Sequence, residues 1–177
     1  NVLFNDTIVN REDVTIDIED RGYQFGDGIY EVIAVYNGKA FKLVEHLNRL
    51  ERSARELSLP LPYDIEQVQA KLEALYEKNE LDNGIIYVQI SRGVAPRIHQ
   101  FPQPAPSPCI VAYTREMPRP HDIQEKGVSC ILAEDIRWLR CDIKSLNLLG
   151  SVLAKQKAVD QNGYEAILHR DGVVTEG

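Results

Sequence analysis

The chain has 177 residues, of which 44% are hydrophobic and 27% charged. That composition excludes wholesale disorder and leaves room for one sizeable core, or for one small domain plus part of another. Its 27 acidic and 20 basic residues give a net charge of -7; without a long basic run this argues against nucleic-acid binding, which needs clustered Lys and Arg.

In chain order, Val2-Leu3-Phe4 and Thr7-Ile8-Val9 flank Asn5-Asp6, a pair that tolerates positive φ, and predict a hairpin. Arg21 to Gly28 carries three glycines in its last seven positions, at 22, 26 and 28, and reads as a loop or a close backbone approach. Ile29 to Tyr36, Asn37-Gly38 and Lys39 to Leu43 give the strongest hairpin signal. Leu47, Leu50, Ala54 and Leu57 then recur at helical spacing, and Pro60 and Pro62 end that helix. Asp64 with Gln67 predicts a reciprocal cap for a second helix, buried along Ile65, Val68, Leu72 and Leu75 and closed at Asn83-Gly84.

Ile85 to Ser91 and Cys109 to Tyr113 read as strands. The proline-bearing loop between them is long, and long loops are often functional. Met117-Pro118-Arg119-Pro120 reads as an interdomain linker. Val128 to Glu134 predicts a strand, and Asp142 to Lys157 a loop passing into a helix. A hairpin follows at Ala166-Ile167-Leu168 and Val173-Val174 around Asp171-Gly172. The expected division is an N-terminal α+β domain over 1–116, a linker over 117–121, and the start of a C-terminal domain over 122–177. The chain opens on Asn1 and stops just after a predicted strand, so it reads as the front part of a longer polypeptide.

No apolar run approaches the roughly 20 residues a membrane-spanning helix needs, and no membrane association is expected. Three cysteines, Cys109, Cys130 and Cys141, lack paired metal spacing. They fit free thiols in a reducing compartment, so the expected location is cytoplasmic and no metal is expected. No Walker-type loop, Gly-x-Ser-x-Gly or His-Glu-x-x-His occurs, which removes nucleotide-binding and common hydrolase signatures.

Four groups of residues could carry chemistry. Lys144 stands in Arg137-Trp138-Leu139-Arg140-Cys141-Asp142-Ile143-Lys144-Ser145-Leu146-Asn147. An isolated lysine is ordinarily a solvated charge, but a partly desolvated amine near cations such as Arg137 and Arg140 becomes a nucleophile for Schiff-base chemistry. Arg97 and His99 share a face if their loop is extended, and together offer donors to a carboxylate; a solvated loop is the plainer reading. His46 and Arg49 share one helix face. Arg49 there suits either a phosphate or a surface ion pair with Glu45 or Glu51. Tyr30 reads as half-buried strand filler and Glu176 as an exposed acid, unless a site recruits them.

Taken as an ordered set, Asp20 to Glu31, His46-x-x-Arg49-Leu50, Arg97-x-His99, the Arg137-to-Asn147 run and Thr175-Glu176-Gly177 are highly specific. The chain resembles the pyridoxal-phosphate enzymes of fold type IV, the branched-chain aminotransferase family, and within it the D-amino-acid transaminases. The resemblance implies a two-domain fold, a small N-terminal α+β domain followed by a larger C-terminal α/β part of which this chain holds the start. It also implies a homodimer and roles for particular residues. Lys144 matches the lysine that holds pyridoxal 5'-phosphate as a Schiff base and moves the proton. Arg49 matches the arginine on the cofactor phosphate, and Glu176 the acid facing the pyridine nitrogen. Tyr30, Arg97 and His99 match the trap for the substrate α-carboxylate. Branched-chain L-aminotransferases lack the Arg-x-His trap, which favours D-amino acids, with D-alanine and D-glutamate exchanging amino groups with pyruvate and 2-oxoglutarate by ping-pong kinetics. The competing expectations are a same-fold lyase resembling aminodeoxychorismate lyase, an L-aminotransferase, or a catalytically silent binding half.

Overall fold

Asp20 shows how the local chemistry starts. Its side chain accepts from the Gly22 backbone N–H at 2.8 Å and caps a short helix, α1 (Arg21–Phe25), where the glycine content predicts a loop. Gly26 ends that helix in the left-handed region at φ 65°, a conformation that favours glycine. The structure is a computed structural model that describes residues 1–177.

The strands of the first part form one six-stranded antiparallel sheet. They are β1 (Val2–Phe4), β2 (Thr7–Val9), β3 (Gly28–Tyr36), β4 (Lys39–Ala40), β5 (Gly84–Ser91) and β6 (Cys109–Glu116), in the order β2-β1-β6-β5-β3-β4. Helices α2 (Leu43–Glu56) and α3 (Ile65–Lys78) pack on it and on each other. Alternation along β3 sends Ile29, Glu31, Ile33 and Val35 to the buried face, and Tyr30, Val32, Ala34 and Tyr36 to the other. The predicted stripe of α2 is met by Leu47, Leu50 and Ala54, all buried with Leu72 and Leu75 of α3. The Asp64–Gln67 capping box is present. That helix ends at Lys78, before Asn83-Gly84, where Gly84 instead opens β5.

The chain divides into two compact units. The first is Asn1–Arg119 with Asp142–Leu146, and the second is Pro120–Cys141 with Asn147–Gly177. A division drawn at 117–121 assigns all of 142–146 to the second part, whereas these residues pack with the first. The second unit, by itself, has a short helix α4 (His121–Lys126), strand β7 (Cys130–Glu134), helix α5 (Leu149–Asp160), and strands β8 (Glu165–Arg170) and β9 (Val173–Glu176). β7 and β8 are parallel, as a helical crossover requires, and β9 returns antiparallel. Ala133, Ala158, Ala166 and Leu168 form its small core.

Candidate active site

The short length of β4 creates the site in the first unit. It pairs only with Val35 and Tyr36, so β4 leaves the N-terminal half of the β3 edge uncovered. Residues 142–146 dock there. Ile29 and Ser145 form an antiparallel bridge, Tyr30 N–H donates to the Lys144 carbonyl at 3.0 Å, and Leu146 N–H donates to the Gly28 carbonyl at 3.0 Å. Gly28 is required for this approach. A Cβ on it would stand 2.6 Å from the Ile90 carbonyl oxygen and 2.8 Å from Leu146 Cδ1. The Lys144 N–H donates to the buried Ser53 hydroxyl of α2 at 3.2 Å, and Ile143 and Ser145 are buried on either side.

The docked segment fixes Lys144. Its Nζ donates to the Tyr30 hydroxyl at 3.1 Å and lies 4.4 Å from the centre of the same ring. The lysine is half-buried, and a cation over a phenol face is favourable. Tyr30 stacks in turn on Tyr87, with ring centres 5.8 Å apart, and Tyr87 on Tyr113 at 5.0 Å. Burial first, then the neighbouring tyrosines, pushes the Tyr87 hydroxyl up to about 12.

On the buried face of β3 sits a carboxylate that the sequence reading passed over. The Glu31 side chain has no exposure and accepts from Arg49 Nε at 2.6 Å and Arg49 Nη2 at 2.7 Å. His46 Nδ1 lies 2.8 Å from Glu31 Oε2, the oxygen that Arg49 Nη2 also reaches, and donates to it in the tautomer with its proton on Nδ1. His46 and Arg49 therefore do share a face, as their spacing predicts. Their acid partner is Glu31, not Glu45 or Glu51. The Glu31 hydrogen bond holds Arg49 firmly protonated, with the nearby Tyr30 adding to it. The strict alternation of β3 was the available signal for Glu31, since it places residue 31 in line with Ile29 and Ile33.

Arg97 and His99 come together, as expected, but on Phe25. Arg97 lies 5.0 Å over that ring and His99 meets it edge-on at 5.8 Å. Tyr30 contacts Lys144 and Tyr87.

In the second unit, Glu176 stands on β9 and accepts from Arg137 Nη1 at 2.9 Å. Arg137 also forks onto the buried Asp135, at 3.0 Å and 3.1 Å. The Thr175 hydroxyl donates to the same acid at 2.7 Å. These partners engage Arg137 as a structural cation. No signal in the sequence singles out Asp135.

A lysine seated on a phenol at a strand edge, with a guanidinium held out by a buried acid, is a constellation for binding an anionic, electrophilic group. The chain belongs to the amino-transferase class IV family, whose pattern matches residues 28–177. It is 53% identical over 176 residues to a D-alanine aminotransferase of Staphylococcus epidermidis, covering 99% of this chain and 62% of that protein. It is 50% identical to a D-alanine aminotransferase of Bacillus licheniformis, with the same coverage. The fold matches the crystal structure of a T.th. branched-chain amino acid aminotransferase complexed with N-(5'-phosphopyridoxyl)-L-glutamate. There the TM-score is 0.87 at 24% identity, covering 99% of this chain and 60% of that one. The mixed α+β architecture expected for the front part of a fold type IV aminotransferase is thus the fold observed, and the chain spans about three-fifths of the length of these proteins.

Proposed function

We propose that the full-length protein is a pyridoxal-phosphate-dependent transaminase acting between D-amino acids, D-alanine and D-glutamate among them, and 2-oxo acids such as pyruvate and 2-oxoglutarate. The observation that carries this reading is Lys144 seated 3.1 Å from Tyr30 on the open edge of β3, in a chain of this family. The names of the two D-alanine aminotransferase relatives support the substrate class, and the phosphopyridoxyl group in the solved relative supports the cofactor.

The donor set fits that cofactor. In the first unit, a half-buried primary amine suits its aldehyde and a guanidinium anchored from behind suits its phosphate. Lys144 Nζ would hold it covalently and Arg49 would bind the phosphate; by resemblance to the family alone, Glu176 would keep the ring nitrogen protonated. When bound, pyridoxal phosphate supplies an electron sink for the negative charge left at the substrate Cα.

The protein's own residues do the rest. Tyr30 accepts a hydrogen bond from the Lys144 amine and holds it against the strand edge. As a free amine, Lys144 Nζ would accept the proton from the substrate Cα and return a proton on the same face. Glu31 holds Arg49 from behind, so the guanidinium keeps one orientation toward the phosphate. Arg97 and His99 bind the α-carboxylate and thereby choose which Cα–H bond faces Lys144. By resemblance to the family, we assign the complete trap to a homodimer in which the loop serves the neighbouring subunit's site. Three free cysteines support a cytoplasmic location.

The test is amino transfer by the full-length protein. D-alanine with 2-oxoglutarate should yield pyruvate and glutamate, and L-alanine should yield none. Transfer from L-amino acids alone contradicts the reading. No transfer from D-alanine, with pyruvate released from aminodeoxychorismate, supports the lyase instead.

A further inference from the structure

We propose that Arg21 is a positioning residue for the substrate-carboxylate loop, fixing Arg97 and His99 through the backbone that carries them. The inference rests on the carboxylate role given to Arg97 and His99 above. It starts from a buried cation with an unusual set of partners. The Arg21 side chain is 4% exposed, and its Nε donates to Asp27 Oδ2 at 2.7 Å. Nη1 donates to the Ile98 carbonyl at 2.6 Å, and Nη2 reaches the His99 carbonyl at 3.4 Å. The same guanidinium lies 4.8 Å over the Phe25 ring. That ring also receives Arg97 at 5.0 Å and His99 at 5.8 Å. Arg21 therefore holds both the main chain of the loop and the ring on which its two side chains rest.

A second arginine secures the other side. Arg92, 5% exposed, donates from Nε to the same Asp27 oxygen at 2.8 Å. Its two outer nitrogens donate to the carbonyls of Leu57 and Ser58 at 2.9 Å each, just past the end of α2. Its guanidinium stacks 3.9 Å over Phe101, two residues beyond His99. Burial pushes the Asp27 carboxyl up, but the hydrogen bonds from Arg92 and Arg21 outweigh it and hold the group below its ordinary value. Asp27 thus stays an anion and ties the loop to α2, the helix that carries Arg49.

The chemistry favours positioning over stabilisation. Burying two guanidinium groups around one carboxylate carries a desolvation penalty, and such clusters are often no more stable than apolar packing. What a planar fork supplies is direction: it fixes two carbonyl oxygens at once, which a lysine does not.

The experiment uses full-length, cofactor-loaded protein and measures kcat and KM for D-alanine separately. Arg21→Lys keeps the charge and loses the fork. It should raise KM about tenfold while kcat changes less than about twofold, with the bound-cofactor spectrum intact. Phe25→Leu, a milder change, should raise KM about threefold and carries the same test if Arg21→Lys does not fold. In an Arg97→Ala/His99→Ala background, each substitution should add less than about twofold, because a residue acting through that pair has nothing left to position. An unchanged KM in Phe25→Leu, or an equal effect with and without Arg97 and His99, overturns the inference. If the Arg97→Ala/His99→Ala protein itself keeps a normal KM, the carboxylate reading falls and takes this one with it.

Discussion

Glu31 and Arg49 share a two-pronged contact, 2.6 Å and 2.7 Å, in which the acid has no exposure and the arginine side chain is 45% exposed. One end is rooted in the sheet and the other faces outward. The buried acid thus holds Arg49 in place with part of the guanidinium in solvent, the arrangement the proposed phosphate role requires.

Glu31→Gln tests this arrangement. The amide keeps one oxygen for Arg49 but loses the charge and one acceptor. Pyridoxal phosphate affinity should fall about tenfold, read by equilibrium dialysis against the cofactor, since a charge-assisted contact contributes roughly 1.5–3 kcal/mol. The stability loss should stay at about 1–2 kcal/mol, as Arg49 is half in solvent and its share is screened. Unchanged cofactor affinity would remove Glu31 from the site.

Arg97→Ala should leave the bound-cofactor spectrum intact and lower kcat/KM for D-alanine roughly tenfold to a hundredfold. Whether the loop serves its own or the neighbouring site is read by a mixed-dimer experiment. Lys144→Ala subunits, inactive alone, and Arg97→Ala subunits, weakened alone, should show activity above the Arg97→Ala level when combined if the loop serves its neighbour. No recovery in verified mixed dimers means each subunit uses its own Arg97.

Acid sensitivity should centre on Asp135. Hydrogen bonds from Arg137 hold its carboxyl far below the usual carboxylate range, against burial, with the Thr175 hydroxyl and the Arg137 N–H assisting. A native value below the unfolded value of about 3.9 stabilises fully above that pH. The contribution is lost as the pH falls toward and through the native value. Chemical-denaturation curves between about pH 6 and pH 3 should show a steep acid limb, and Asp135→Asn should flatten it while lowering stability at neutral pH. An unchanged slope in the variant removes Asp135 as the source.

Much of this was legible beforehand, for stated reasons. The β1–β2 hairpin, the α2 stripe through Leu47, Leu50 and Ala54, and the Asp64–Gln67 cap follow from local pattern, and local pattern survives folding. Short-range geometry also paired His46 with Arg49. Long-range partners were hidden. Glu31 lies 18 residues from Arg49, and Asp27 lies 65 from Arg92. Residues 142–146 return to the β3 edge because β4 is too short to cover it, a fact visible only once the strands are paired. α1 escaped the sequence reading because glycines at 22 and 26 mark a loop, while the Asp20 cap and the left-handed Gly26 make them compatible with one helical turn.

The central claim is that Lys144 is the covalent carrier of the cofactor. The direct measurement is borohydride reduction of the full-length holoenzyme, followed by proteolysis and peptide mapping. A single phosphopyridoxyl mass addition is predicted, on the peptide containing Lys144. A label on another lysine, with Lys144 unmodified, would contradict it.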